Sequence, residues 1–276
     1  MNADGGKISL LARWLAEGSP GRTVVFSGAG ISTESGIPDF RSPGGLWERF
    51  DPEELSFPRF VASAQSRRRY WEFYRENWRL SREARPNPAH CAVAALEQLG
   101  RLSVVITQNI DGLHQKGGSS PEKVLELHGN MWEVRCLSCA RTYPWVEIFQ
   151  RLEQGGEVED CVCGGLLKPA TVSFGQSLPG EVLEEARRHS INSDLFICIG
   201  SSLVVYPAAS FPQMAKHKGA RLVIINREPT SLDDMADLVI SGEAGPVMTA
   251  VTDLLKKIDL GLSFHGGERK DGNCPF

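Results

Sequence analysis

Thr23-Val-Val-Phe-Ser-Gly-Ala-Gly-Ile-Ser32 is the part of the sequence most informative about the fold. Its first half is a β-branched run typical of a buried strand, and its second half begins with Gly-x-Gly. Such a turn lets the backbone approach a pyrophosphate, with N–H groups and a helix N-terminus facing the charge. The usual third glycine is replaced by Thr33, and no acidic residue ends a second strand about 20 residues later. The loop is therefore compatible with an ordinary tight turn as well as a nucleotide site, and it does not favour hydride transfer.

Apolar runs of the same kind recur along the chain and end at small or polar residues. The predicted strands are residues 23–27, 103–107, 195–199, 222–226 and 238–240. Helical periodicity lies between some of them, at 88–100, 181–189 and 246–258. Strands buried on both faces that alternate with helices are typical of open parallel sheets. The sequence therefore predicts an α/β fold, a parallel sheet with helices on both faces.

Two stretches break this pattern and look like insertions between sheet elements. Residues 43–86 are rich in arginine and aromatic residues and look helical, whereas residues 131–167 carry four of the seven cysteines. We expect these two stretches to form a small domain. The sheet domain is then made of residues 1–42, 87–130 and 168–260, and residues 261–276 form a loose tail.

Composition excludes several classes of protein. The 276 residues are 41% hydrophobic and carry a net charge of −4, which does not fit a strongly basic nucleic-acid binder. No apolar run reaches 18 residues, and the first residues lack a basic segment followed by an apolar core. With an odd number of cysteines and no secretory signal, we expect a cytoplasmic protein without nucleic-acid or membrane partners.

Polar side chains follow two of the apolar runs where each run ends. Thr107-Gln-Asn-Ile-Asp111 comes after a predicted strand, and His128 follows the short run 124–127. In open α/β sheets the carboxyl ends of the strands line the ligand crevice. An imidazole there is a natural general base near neutral pH, although a lone histidine is more often structural. The structural interpretation is kept for His90, His189, His217 and His265.

Two further stretches could contact a nucleotide. Asp39, Phe40 and Arg41 follow a rigid Gly-Ile-Pro segment, where Arg41 can clamp a phosphate and Phe40 can lie against a planar group. The alternative is a surface loop with a solvated arginine. Asn226-Arg-Glu228 follows a later strand and could hold a ribose by hydrogen bonds.

Four cysteines are paired in the second insertion, as Cys136-x-x-Cys139 and Cys161-x-Cys163. Four thiolates suit a closed tetrahedral zinc site, which leaves no position for water and is therefore structural. The second pair is shorter than in a standard zinc ribbon, so four unliganded thiols remain the alternative.

Several motifs occur in a fixed order. They are Gly-Ala-Gly-Ile-Ser at 28–32, Ser-Gly-Ile-Pro-Asp-Phe-Arg at 35–41, Thr-Gln-Asn-Ile-Asp at 107–111, Leu-His-Gly at 127–129, Gly-Ser-Ser-Leu-Val-Val-Tyr-Pro at 200–207 and Ile-Asn at 225–226. From about residue 20 to 255 the chain resembles the sirtuin family of NAD-dependent protein lysine deacylases, in particular its small bacterial and archaeal members. The resemblance implies a Rossmann-like domain and a small domain made of a helical module and a zinc-ribbon module.

The resemblance also implies a reaction. In that family the acyl-lysine carbonyl oxygen attacks C1′ of the nicotinamide ribose, and the products are nicotinamide, O-acyl-ADP-ribose and free lysine. It implies NAD as co-substrate, structural Zn²⁺, acetylated lysines of proteins as substrates and a monomeric enzyme.

Site residues follow by the same resemblance. The implied catalytic residues are His128 as base, with Asn109 and Asp111. The implied cofactor-binding residues are Gly28, Ala29, Gly30, Ile37, Asp39, Phe40, Arg41, Gln108, Asn109, Ile110, Asp111, Gly200, Ser201, Ser202, Asn226 and Glu228. The implied substrate contacts are Val172, Phe174, Gly175 and Val204, and the implied metal ligands are Cys136, Cys139, Cys161 and Cys163.

Some alternatives remain open. Members that remove succinyl or malonyl groups carry a Tyr with an Arg three residues later, whereas Tyr74 is followed by Asn77 here, so we expect neutral acyl groups. Arg75 or Arg79 could still reach the acyl pocket. Gln176 replaces a usual Glu, which removes a negative charge near the peptide. Mono-ADP-ribosyl transfer and a non-catalytic NAD- or zinc-binding module are the competing functions, and the complete set Gln108, Asn109, Asp111 and His128 argues against pure binding.

Overall fold

The computed structural model describes residues 3–262, which form strands and helices in alternation. The helices are α1 (Ala3–Glu17), α2 (Phe57–Ala62), α3 (Ala64–Glu83), α4 (Pro88–Gln98), α5 (Leu113–Lys116), α6 (Trp145–Glu153), α7 (Gly180–Ile191), α8 (Ser210–His217) and α9 (Ala244–Asp259). The strands are β1 (Thr23–Ser27), β2 (Leu102–Thr107), β3 (Val124–Glu126), β4 (Gly129–Cys136), β5 (Thr142–Pro144), β6 (Leu167–Thr171), β7 (Leu195–Ile199), β8 (Arg221–Asn226) and β9 (Leu238–Ser241).

Six of the strands form one parallel sheet in the order β3-β2-β1-β7-β8-β9. The strand order reverses between β1 and β7, and such a switch point opens a crevice at the carboxyl ends of the two strands. The prediction of a Rossmann-like parallel sheet is therefore confirmed, and its strands agree with the predicted ones to within one residue. Helices α1, α5, α6 and α8 lie outside the predicted helical stretches.

The sheet is buried on both faces, as its apolar strands require. Val25, Val105 and Ile197 face a core shared with α1, α4 and α9. Phe26 and Phe196 face the opposite core, which α7 and α8 cover. Successive side chains of a strand point to opposite faces, so a strand covered on both sides must be apolar throughout. In the described part of the chain, no helix is both long and apolar enough to span a bilayer.

A third core lies apart from the sheet, and we call it the aromatic lobe. It draws its buried residues only from 46–78 and 131–167, the two stretches that break the sheet pattern. Trp71 stacks on Trp145 at 5.4 Å between ring centroids, and Tyr70 stacks on Tyr74 at 4.7 Å. A three-stranded antiparallel sheet, β5-β4-β6, completes the lobe. The domain boundaries given above stay predictions, and residues 263–276 of the predicted tail lie outside the described residues.

Helix α4 begins at a capping box. The Asn87 side chain accepts from the backbone N–H of Ala89 and His90, while the Asn87 N–H donates to His90 Nδ1. Asn87 Nδ2 also donates to the Ile31 carbonyl at 2.7 Å. A fully buried His90 thus serves the start of a helix.

The loops after β1 and β7 cross in direct backbone contact. Gly30 N donates to Gly200 O at 2.8 Å, and a Cβ on Gly30 would lie 2.8 Å from that same oxygen. Gly200 has a φ of +61°, and a Cβ there would lie 2.2 Å from Ile31 N. The segment after Gly28, Ala29–Ser35, is a 3₁₀ helix and not the α-helix expected after a Gly-x-Gly turn. The glycines therefore serve first to let two loops interlock at the switch point.

We expect Gly200→Ala to lower the free energy of unfolding by more than about 3 kcal/mol, because the new Cβ meets strain and backbone at once. Gly100→Ala is the matched control, since Gly100 also has a positive φ of +68° but nothing within 4 Å of the Cβ position. That control should lose only about 1 kcal/mol. Urea denaturation of both variants measures the difference, and equal losses would contradict the importance of the loop crossing.

Candidate active site

A cavity of about 570 Å³ opens at the carboxyl ends of β1, β2, β7 and β8, next to the aromatic lobe. Every residue implied above as catalytic or cofactor-binding lines it, as do Val172, Phe174 and Gly175. Val204 is half exposed beside the cavity, and its neighbour Val205 is the lining residue. Motifs from distant parts of the chain thus meet around one space.

Ser32 joins two of the polar strand-end residues in a buried chain of hydrogen bonds. Asn109 Nδ2 donates to Ser32 Oγ at 3.1 Å and to the Gly28 carbonyl at 3.2 Å. Ser32 Oγ in turn donates to Asp111 Oδ2 at 2.8 Å. This chain orients the Asn109 amide so that its oxygen remains able to accept from a ligand hydroxyl.

Asp111 is a buried carboxyl that lines the cavity. Burial raises the pKa of Asp111, and hydrogen bonds from the Leu113 N–H and from Ser32 work in the opposite direction. A carboxylate oxygen carries more than one acceptor site, so each oxygen can still accept from a ligand amide.

His128 is held with a defined tautomer. Its Nδ1 lies 2.9 Å from the Gln108 carbonyl oxygen, which can only accept, so Nδ1 carries the proton. Nε2 of the neutral ring therefore has a free lone pair. Burial lowers the pKa of His128, which outweighs the opposing effect of the Gln108 hydrogen bond. The ring is thus a neutral base at pH 7.

Gln108 ties the ends of β2 and β7 together across the switch point. Its Nε2 donates to Ser201 Oγ at 2.9 Å, and its backbone N–H donates to the Ser27 carbonyl at 3.0 Å. The side chain thereby holds Ser201 at the cavity edge where the loop after β7 turns. This links the strand end that carries Asn109 to the loop that crosses Gly30.

The loop around Asp39 closes on itself. The Asp39 carboxylate accepts from the backbone N–H of Arg41 and Ser42 and from the Ser42 hydroxyl. Phe40 packs against Trp47 with ring centroids 4.9 Å apart, and Trp47 lies 6.0 Å from the Phe174 ring. Asp39 therefore shapes the loop, while Phe40 presents an aromatic wall to the cavity.

Sequence reasoning missed several lining residues. Ser32 lies within a quoted motif, but its bonds to Asn109 and Asp111 join residues far apart in sequence. Trp47 carries no motif. Glu34 lines the cavity and accepts from the Gly245 N–H at the start of α9 at 2.7 Å. The signal that could have found Ser32 was a hydroxyl immediately after the glycine loop.

His114 lies behind the cavity. Its Nε2 is 2.8 Å from Ser27 Oγ, which donates to Thr107 Oγ1, and Thr107 Oγ1 also accepts from the Asn109 N–H. Burial lowers the pKa of His114 to about 4, so this ring stays neutral. The ring thus supports the ends of β1 and β2 through these hydrogen bonds.

The segment after β6 reaches the cavity and contacts the backbone of His128. Val172 N donates to the His128 carbonyl at 2.8 Å, and Phe57 N donates to the Phe174 carbonyl at 2.9 Å. Residues 172–175 and 203–206, which contain the implied substrate contacts, lie outside the strands in this structure. Phe174 is 47% exposed, so an apolar ring stands open beside the cavity.

Helix α3 turns aromatic and neutral polar residues to the cavity. Tyr70, Tyr74 and Asn77 line it, and Tyr74 OH lies 2.8 Å from Thr171 Oγ1. The Arg79 guanidinium pairs with Glu153 on α6, and Arg75 lines a separate hollow beside residues 155–158. Neither arginine therefore lines the cavity.

The four paired cysteines converge at the end of the aromatic lobe. Their sulfur atoms all lie within 4.8 Å of one another, with Cys136 Sγ 3.5 Å from Cys163 Sγ and Cys139 Sγ 3.7 Å from Cys161 Sγ. Tetrahedral zinc with Zn–S bonds near 2.3 Å needs sulfurs about 3.8 Å apart. The donor set and spacing therefore fit a structural Zn²⁺.

We expect the purified protein to hold one zinc ion, measured by elemental analysis, and Cys139→Ser to lose it. Zinc loss should lower the melting temperature by several degrees, because β4, β6 and the cluster share one lobe. Ser138→Ala, beside the cluster, is the control that keeps all four thiolates. Full zinc content in Cys139→Ser would contradict the four-ligand site.

Comparisons with known proteins give the family. The Sir2 family model matches residues 28–207. A protein named NAD-dependent protein deacetylase 1 from Bradyrhizobium diazoefficiens is 51% identical over 228 residues, 82% of this chain and 89% of that protein.

Two solved structures are similar throughout. One, from work on the mechanism and regulation of Sir2 enzymes, is 44% identical with a TM-score of 0.82 and covers 92% of this chain and 99% of its own. Another is a Sir2 protein with a deacetylated peptide and 3′-O-acetyl-ADP-ribose, 36% identical with a TM-score of 0.81, covering 93% of this chain and 100% of its own. On these matches the chain belongs to the Sir2 family.

Proposed function

We propose that this protein is an NAD-dependent protein lysine deacetylase. Acetyl-lysine, NAD and water would give lysine, nicotinamide and O-acetyl-ADP-ribose. The relative from Bradyrhizobium is named for this activity. The Sir2 structure with a deacetylated peptide also contains 3′-O-acetyl-ADP-ribose, the acetylated product. One observation carries the proposal for this chain: His128 lines the cavity as a neutral base, with its proton fixed on Nδ1.

His128 would act as the general base through Nε2. Its role is to accept the proton of a ribose hydroxyl when that hydroxyl attacks the carbon that came from the acyl group. The Gln108 carbonyl keeps the tautomer and ring orientation, and it stabilises the imidazolium that forms.

Asn109, Gln108 and Asp111 would position the NAD. The amide hydrogens of Asn109 are donated to Ser32 Oγ and to the Gly28 carbonyl. The side-chain oxygen of Asn109 can therefore accept from a ribose hydroxyl. The Asp111 carboxyl, held by Ser32 and the Leu113 N–H, can accept from the nicotinamide carboxamide. Buried hydrogen bonds hold these groups in place before the ligand arrives.

Phe40 and Trp47 would shield the reacting carbon after nicotinamide leaves. Their rings pack together beside Phe174 and form one wall of the cavity. An apolar wall keeps bulk water from hydrolysing a reactive intermediate.

The acyl group would be neutral. Tyr70, Tyr74 and Asn77 face the cavity from α3, while Arg79 pairs with Glu153 and Arg75 lines another hollow. An acyl carboxylate buried at this wall would lack a cation, which is costly. We infer that acetyl-lysine is preferred over succinyl-lysine. We further infer that the enzyme works as a monomer in the cytoplasm on acetylated proteins.

The proposal is tested by incubating the protein with NAD and acetyl- or succinyl-lysine peptides and following the products by mass spectrometry. We expect nicotinamide and O-acetyl-ADP-ribose with the acetyl peptide and at least about tenfold slower succinyl turnover. His128→Ala should lower deacetylation by about 10²–10⁴-fold and leave NAD binding within about twofold.

His217→Ala, on the exposed end of α8, is the matched control and should behave as the wild-type protein. ADP-ribose attached to protein in place of O-acetyl-ADP-ribose would favour a transferase. NAD binding with no turnover of any peptide would contradict the proposal that the protein is an enzyme.

The pH dependence follows from the shifted pKa of His128. The base works in its neutral form, and burial lowers its pKa, so the neutral form persists below the ordinary value of about 6.5. We expect kcat/KM to fall with a midpoint below pH 6.5 and, below that midpoint, to drop about tenfold per pH unit. Rates across pH 5–8 measure this limb, and a midpoint at or above 6.5 would contradict it.

A further inference from the structure

Lys168 on β6 is among the largest fully buried side chains of the described residues, with 1% of its surface exposed. Lysine is almost never fully buried unless it is paired. Within residues 3–262, however, none of the ion pairs includes Lys168. Burial lowers its pKa to about 7. A buried amine without a carboxylate needs an explanation in its contacts.

The Lys168 amine is directed at the end of its own strand. Nζ donates to the Thr171 carbonyl at 2.6 Å and lies 3.4 Å from the Pro169 carbonyl. It also lies 5.1 Å from the centroid of the Tyr70 ring. Both NH₃⁺ and NH₂ carry N–H donors, so these contacts hold in either protonation state.

Thr171 is the residue at which β6 leaves the lobe and enters the cavity. The next N–H, that of Val172, donates to the His128 carbonyl at 2.8 Å. Tyr74 OH lies 2.8 Å from Thr171 Oγ1, and Tyr70 OH lies 2.6 Å from Ser173 Oγ. The carbonyl that Lys168 holds thus belongs to the peptide unit that contacts the candidate base.

The strand needs this support because its pairing is irregular there. β6 pairs with β4 at Pro169 and again at Thr171, but the register shifts between the two positions. Proline has no N–H to donate, so Pro169 weakens the ladder at the same place. The Lys168 amine supplies a donor where the ladder is interrupted.

We propose that Lys168 is a positioning residue for deacylation, whose amine fixes the Thr171 carbonyl and, through it, both the backbone of His128 and the segment 172–175 that receives the acyl-lysine. The role in deacylation rests on the proposed function. Lys168 does not line the cavity and touches no reacting atom.

The test compares Lys168→Met, which keeps the apolar stem and loses the donor, with Lys168→Arg, which keeps a donor. Lys256→Met, on the exposed end of α9, is the matched control. We expect Lys168→Met to raise KM for the acetyl-lysine peptide at least about tenfold, with KM for NAD within about twofold. Lys168→Arg should stay within about threefold of the wild-type peptide KM.

Amide hydrogen exchange supplies a readout that does not need turnover. Exchange at the Val172 N–H should be at least about tenfold faster in Lys168→Met, because the Thr171 carbonyl of the same peptide unit loses the Lys168 donor. A purely structural role would move stability, NAD affinity and peptide affinity together.

Wild-type peptide KM and wild-type Val172 exchange in Lys168→Met would overturn the proposal. If that variant does not fold, a folded Lys168→Arg with a peptide KM raised more than about tenfold would overturn it as well. No turnover by the wild-type protein would remove the proposed function, whereas the exchange at Val172 would still decide whether Lys168 holds the strand end.

Discussion

Two glycine loops cross at the switch point, and their contact determines where the polar groups of the cavity lie. Gly30 and Gly200 approach so closely that neither position has room for a side chain. The contact fixes where the chain emerges from β1 and β7, and therefore where Ser32 and Ser201 stand. These two hydroxyls then bind Asn109, Asp111 and Gln108. The polar groups of the cavity are thus arranged by backbone contact before any ligand is present.

Burial of these polar groups explains their electrostatics. Asp111 and His128 have their pKa values shifted in opposite directions by the same cause, because desolvation disfavours the charged form of each. The hydrogen bonds of Asp111 oppose its shift, and the Gln108 carbonyl opposes that of His128. Because these polar groups are buried, each of their interactions with a charged ligand is stronger than it would be in water.

Much of the sheet could be predicted from the sequence, because strands buried on both faces must be apolar along their whole length. The cavity could be predicted in outline, since Asn109, His128 and Gly200 follow such strands. The 3₁₀ helix after Gly28 could not, because close approach to Gly200 determines it. The role of Lys168 could not be predicted either. A lysine in a short strand ordinarily indicates a solvent-exposed position, and only the tertiary structure shows that this side chain is buried.

The aromatic lobe has a consequence for the order in which the chain can fold. Its core joins residues 46–78 to residues 131–167, and α4, β2 and β3 of the main sheet occupy the chain between them. Bringing the two halves together closes a long loop, which is entropically unfavourable unless the intervening elements are already compact. We therefore expect the lobe to assemble on a sheet that is already formed, and the lobe lacks a contiguous stretch of chain that could be cut out as an independent folding unit.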